Sequence, residues 1–147
     1  MSESTTLYCK AASDNFNSIH KRLALLSPTE VIGESASDWT KIKCVTNQGT
    51  VQITRLFFVE QADPFSKLRW KTIVKVQAKA AADPIAASKV EAHLTVTEAI
   101  LGIVAEPGFD QIDRLPELIG FLAMEFDALI FNGSDFMDFQ GETIFSV

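Results

Sequence analysis

The sequence predicts an α+β fold with two layers: a mixed or antiparallel sheet carrying helices mainly on one face. Three observations lead there. Within residues 99–147 the hydrophobic period changes twice, from an apolar run at 100–105 to Ile112, Leu115, Ile119, Leu122 and Phe126 at helical spacing, then to two β-prone runs flanking Gln140-Gly141. Residues 1–62 show the same strand, helix, strand, strand order around Gln48-Gly49. A length of 147 residues with 47% hydrophobic content suits one buried core and is short for two ordinary domains.

In chain order, residues 5–12 alternate and read as a first strand. Ser13 or Asp14 then caps a helix through Leu26, with Phe16, Ile19, Leu23 and Leu26 on its buried stripe, and Ser27-Pro28 ends it. After a polar stretch, residues 39–46 and 51–59 flank Asn47-Gln48-Gly49-Thr50, whose Asn and Gly suit a hairpin turn. The stripe of the first helix maps onto Ile112, Leu115, Ile119 and Leu122 at a constant offset of 96, and Gln48-Gly49 maps onto Gln140-Gly141 at 92. This pairing predicts a degenerate βαββ duplication, residues 1–62 and 94–147, joined by a helical connection at 63–93.

That connection starts at Asp63-Pro64 and restarts at Asp83-Pro84, each pairing an N-cap acid with a proline in the first turn. Lys67, Lys71, Lys75 and Lys79 fall four apart on its first piece and form a stripe of like charge. The β-branched residues at 72–76 leave strand open as an alternative to helix, and residues 93–96 suit either the last helical turns or the approach to the next strand.

Charge is uneven: residues 1–90 hold 12 Lys/Arg against 8 Asp/Glu, and residues 91–147 hold Arg114 alone against 11 acids. The overall −6 argues against nucleic acid as a partner, and no apolar run approaches the roughly 20 residues of a membrane span. The first dozen residues lack the basic and apolar regions of a signal peptide, so a cytoplasmic setting is expected. There Cys9 and Cys44 are expected as reduced core thiols in preference to a disulfide.

Few residues carry an obvious chemistry. His20 and His93 are far apart in sequence and lack metal-ligand spacing, and no local pattern joins either to a cysteine nucleophile and a carboxylate. Asp135, Asp138, Gln140, Gly141 and Glu142 suggest a calcium loop, but counting back from the glycine puts Phe136 at the first ligand position. No catalytic residue, metal or cofactor is therefore expected. Two candidate binding surfaces are. One comprises Glu106, Phe109, Asn132, Ser134, Asp135 and Phe136, in loops beside the last helix; the other is the lysine stripe.

Ile103-Val104-Ala105-Glu106-Pro107, Phe131-Asn132-Gly133-Ser134, and Asp138 with Gly141 before a terminal apolar strand resemble motifs of a family of small uncharacterised bacterial α+β proteins. The resemblance covers mainly residues 94–147 and implies a fold class without supplying an activity. In general character the chain is similar to immunity or adaptor proteins. The expected function is thus a non-catalytic protein–protein interaction module, binding another protein or a second copy of itself. The alternative is a small-ligand-binding domain or hydrolase with a pocket near Glu106, Asn132 and Asp135.

Overall fold

The computed structural model describes residues 2–10, 16–33, 39–57 and 62–147. The elements are β1 (Glu3–Cys9), α1 (Phe16–Arg22), β2 (Glu30–Gly33), β3 (Lys41–Val45), β4 (Thr50–Phe57), α2 (Ala62–Lys79), α3 (Pro84–Thr95), β5 (Ala99–Glu106), α4 (Leu115–Glu125), β6 (Ala128–Phe131), β7 (Asp135–Met137) and β8 (Thr143–Ser146). The strands form one sheet in the order β2-β3-β4-β5-β1-β6-β7-β8, antiparallel at every pairing. The mixed α+β class follows from this arrangement.

The expected two layers become three. Successive residues of the central strands point to opposite faces, and both faces are buried: Leu7 and Leu101 belong to one core, Tyr8 and Ile100 to another. On the first face, Ile19, Leu23 and Leu26 pack beside Leu115, Ile119 and Leu122, so α1 with its trailing 3-10 turn and α4 share that side. On the second, Phe65, Ile73 and Val76 of α2 and Ala87, Val90 and Leu94 of α3 cover Tyr8, Phe131, Phe136 and Phe145. A single-face arrangement would have left this second, aromatic set in water.

The stretch 71–79 is helix. Burial of Thr72, Ile73 and Val76 on one side outweighs the weak β preference of its branched residues. Asp83 caps α3 by accepting from the Ala86 N–H at 3.2 Å, with Pro84 at the first position, and His93 falls in the last turn of α3. The expected caps Ser13 and Asp14 lie outside the described residues.

Both halves run strand, helix, then three strands, one more than expected in each. Gly49 and Gly141 both sit between the third and fourth strands, in antiparallel hairpins. The three-strand meanders nevertheless run in opposite senses: β4, the last strand of the first half, adjoins the centre, whereas in the second half β6, the first after the helix, does. Shared chain order and a shared helix face are therefore present without a symmetric sheet, and the duplication is not established. Among the described residues no helix is long and apolar enough to cross a membrane.

Candidate functional site

The loop residues singled out from sequence divide between the two faces. Asn132 Oδ1 accepts from the Ser134 N–H at 3.0 Å, the Ser134 hydroxyl at 3.1 Å and the Asp135 N–H at 2.8 Å, which closes a turn through Gly133 at φ 105°. With its carbonyl oxygen committed to that turn, the amide NH₂ of exposed Asn132 is left with two donors that no described residue takes up. Asp135 accepts from the Ser146 hydroxyl at 2.6 Å and so joins β7 to β8. Phe109 is half-buried against the first core, and its N–H donates to Glu3 Oε1 at 3.2 Å.

Phe109 and Asn132 meet in an open groove of about 460 Å³ on the first face, with Glu3, Ile119, Ile130 and Met137 among its walls. Glu106, Ser134 and Asp135 are outside that lining, so of Glu106, Asn132 and Asp135 this groove gathers Asn132 alone. Phe136 points the other way: it is fully buried in the second core and stacks on Phe131 with ring centroids 4.3 Å apart. It anchors the core, and no interface can use it.

The lysine stripe is intact. Lys67, Lys71, Lys75 and Lys79 are all exposed along α2, and among the described residues none of them forms an ion pair. Between them stand two apolar residues that sequence reasoning passed over, Trp70 at 61% exposure and Val74 at 44%. Their four-residue spacing places them on one helical row, but only the orientation of α2 on the sheet shows that this row faces outward. That orientation is fixed by Phe65, Ile73 and Val76 beneath it and by Arg69, which donates to the Thr95 and Thr97 carbonyls at 3.3 and 3.4 Å.

Elsewhere, polar groups are tied into the fold. Glu125 accepts from the Ser18 hydroxyl and from Arg22 Nε, each at 2.6 Å, and so clamps α1 to α4. Burial alone would raise its pKa, but those two donors together hold the carboxyl below its ordinary value. Cys9 and Cys44 are free and buried, and burial raises the pKa of both thiols, which disfavours the reactive thiolate. Among the described residues no group of three or more His, Cys, Asp or Glu side chains is placed to hold a metal ion. Comparison with models of known protein families, with curated protein sequences and with solved structures gave no match.

Proposed function

We propose that the chain is a protein-binding module of adaptor type, and that it takes an acidic surface of another protein on the outer face of α2. The observation that carries this reading is Trp70, 61% exposed among lysines that form no ion pair with any described residue. Tryptophan is enriched at the energetic centre of interfaces. Lysines around it supply steering and register more than affinity. The charge of the stripe also selects the partner: a two-fold contact through α2 would set one row of lysines against its own copy, so a separate acidic protein fits better than a symmetric dimer.

The test is retention of binding partners from native lysate on the immobilised chain, compared with Trp70→Ser and with the double change Lys71→Glu/Lys75→Glu. An acidic protein held by the parent, released by added salt and lost with both variants is the expected result. Equal retention by all three forms removes α2 from the interface. A second reading draws on the groove at Asn132, whose amide donors, in one lining with Ile119 and Ile130, suit a small ligand carrying a hydrogen-bond acceptor. Saturable shifts confined to the Asn132 amide in a fragment screen would favour it.

A further inference from the structure

A second groove lies on the other side of the sheet, between α3 and strands β6 and β8. It has a volume of about 530 Å³, inside the roughly 300–1,000 Å³ typical of small-molecule sites. Its apolar walls include Val90, Leu129 and Ile144, and among the described residues its polar side chains are all nitrogen bases: Lys10, Lys89 and His93. Lys89 and His93 are one helical turn apart on α3 and share a side. Lys10 directly follows β1 and pairs only loosely with Asp127, at 3.8 Å with Asp127 71% exposed. Lys89 is exposed and has no ion pair among the described residues.

His93 is the built element. It is 9% exposed, and its Nε2 lies 2.7 Å from the Tyr8 carbonyl oxygen, which can only accept. The ring proton therefore sits on Nε2, and Nδ1 keeps its lone pair. Burial lowers the basicity of the ring and nearby Lys10 adds to this, against the Tyr8 bond and Asp127, so the neutral form prevails near neutrality. The net charge offered to an occupant then comes from the two lysines, partly offset by Asp127.

We propose that this groove binds a small amphipathic monocarboxylate, its head group between Lys10 and Lys89 and its apolar body along Val90, Leu129 and Ile144. Charge complementarity selects an anion in a chain whose overall charge is −6. The number of charges follows from position. The groove adjoins the C-terminal turns of α3, where the helix dipole presents partial negative charge, and among the described residues its lining has no arginine fork and no helix N-terminus. A phosphate dianion finds little there, whereas a single carboxylate is matched by two ammonium groups. The apolar walls require a body that gains by leaving water. This site is separate from the outer face of α2, so the two proposals stand or fall independently.

The experiment is titration of decanoate into the isotopically labelled full chain, followed by amide, methyl and imidazole resonances. Saturable shifts at Lys89, His93 and the Ile144 methyls are expected. Decanol and decylammonium share the chain and lack the carboxylate, and both should bind at least tenfold more weakly. Lys89→Glu, at an exposed position, should weaken decanoate at least tenfold, and Lys10→Gln should weaken it less. Lys67→Glu makes the same charge change as Lys89→Glu but on α2, and should leave the affinity as it was. Equal binding of decanol, shifts spread over other surfaces, no saturable shift, or an unaltered affinity in Lys89→Glu each overturn the proposal. A melting curve of each variant shows that weaker binding reflects the groove and not unfolding.

Discussion

The two faces of the sheet are built from alternate residues of the same strands, yet they are covered in different ways. On the first face lie α1 and α4, each the first connection leaving a central strand, over an aliphatic floor that includes Leu7, Val51, Leu101 and Ile103. On the second lies the helical pair α2–α3, inserted between neighbouring strands β4 and β5, over an aromatic floor of Tyr8, Phe131, Phe136 and Phe145. Directional bonds also hold the second cover. Thr72 donates to the Leu68 carbonyl, so its 2.7 Å contact with Tyr8 uses the tyrosine proton, and His93 donates to the Tyr8 carbonyl. One strand residue thus fastens both inserted helices. The first cover fills its floor by shape and is clamped helix to helix through Glu125, whereas the second is fastened by hydrogen bonds to the strand beneath it.

Core truncation gives the largest expected effects and asks whether the faces contribute equally. Phe136→Ala removes a fully buried ring from the second face and should lower stability by ~3–5 kcal/mol, with Leu122→Ala on the first at ~2–5 kcal/mol, both read from denaturant midpoints. A loss below ~1 kcal/mol for Phe136 would mean that the α2–α3 cover is dispensable. Gly120→Ala comes next. An added Cβ would lie 2.9 Å from the Phe139 carbonyl oxygen, where α4 approaches the connection between β7 and β8, and overpacking of this kind costs ~1–3 kcal/mol. Tyr8→Phe should cost only ~0.5–1.5 kcal/mol, with faster amide exchange in α2 than in α4. Equal exchange in both helices would break the distinction between a fastened and a filled face.

Acidification separates the faces by sign and by window. His93 on the second face has a lowered pKa, so its neutral form is undisturbed above its ordinary value near ~6.5, and stability declines as pH falls below that, because the unfolded chain takes up the proton first. Glu125, clamping the first face, has a lowered carboxyl pKa, so its contribution is present above ~4.3 and is lost only as pH falls from there through its folded value. Protection against amide exchange, taken relative to the intrinsic rate at each pH, should therefore fall in α3 before it does in α1 as pH goes from 7 to 5. His93→Gln, which keeps a donor for the Tyr8 carbonyl, should abolish the early change. Loss of protection in α1 and α3 at the same pH would contradict the assignment.

What the sequence made legible tracks how local the cause is. The stripe of α4 and the Asp83-Pro84 start of α3 depend on neighbouring residues and are readable directly. β2 leaves no clear pattern in the sequence because Glu30–Gly33 is a four-residue edge strand with little burial. The third layer had a signal: Ala128–Phe131 is buried at all four positions, an unbroken apolar run of the kind that strands covered on both faces require. Phe136 looked like a turn aromatic because Asn132-Gly133-Ser134 precedes it, but the pairing of Phe136 with Phe131 across β6–β7 is what turns it inward. The groove of Lys10, Lys89 and His93 draws on β1, α3, β6 and β8, and only the four-residue spacing of Lys89 and His93 is visible in the chain.

The smallest expected effect on stability is also the most informative about function. Lys71 and Lys75 are exposed on α2, flanked along the row by Lys67 and Lys79, and no carboxylate among the described residues pairs with them. Like charges four apart on a helix cost a few tenths of a kcal/mol per pair. Lys71→Glu/Lys75→Glu converts repulsion with Lys67 and Lys79 into attraction, so the melting midpoint should stay level or rise slightly, within ~0.5 kcal/mol. Had the acid-rich C-terminal portion of the same chain neutralised the stripe, the double change would instead have lowered stability. A partner that reads the lysines makes the opposite demand: binding should be lost while the fold is as stable as before. Trp70→Ser distinguishes the two components of the surface. It removes the apolar anchor and leaves the charge, so it should raise the rate of partner dissociation with little change in the salt dependence of association, whereas the lysine variant should slow association most at low salt. If both variants altered only the melting midpoint, the outer face of α2 would be an ordinary solvated surface.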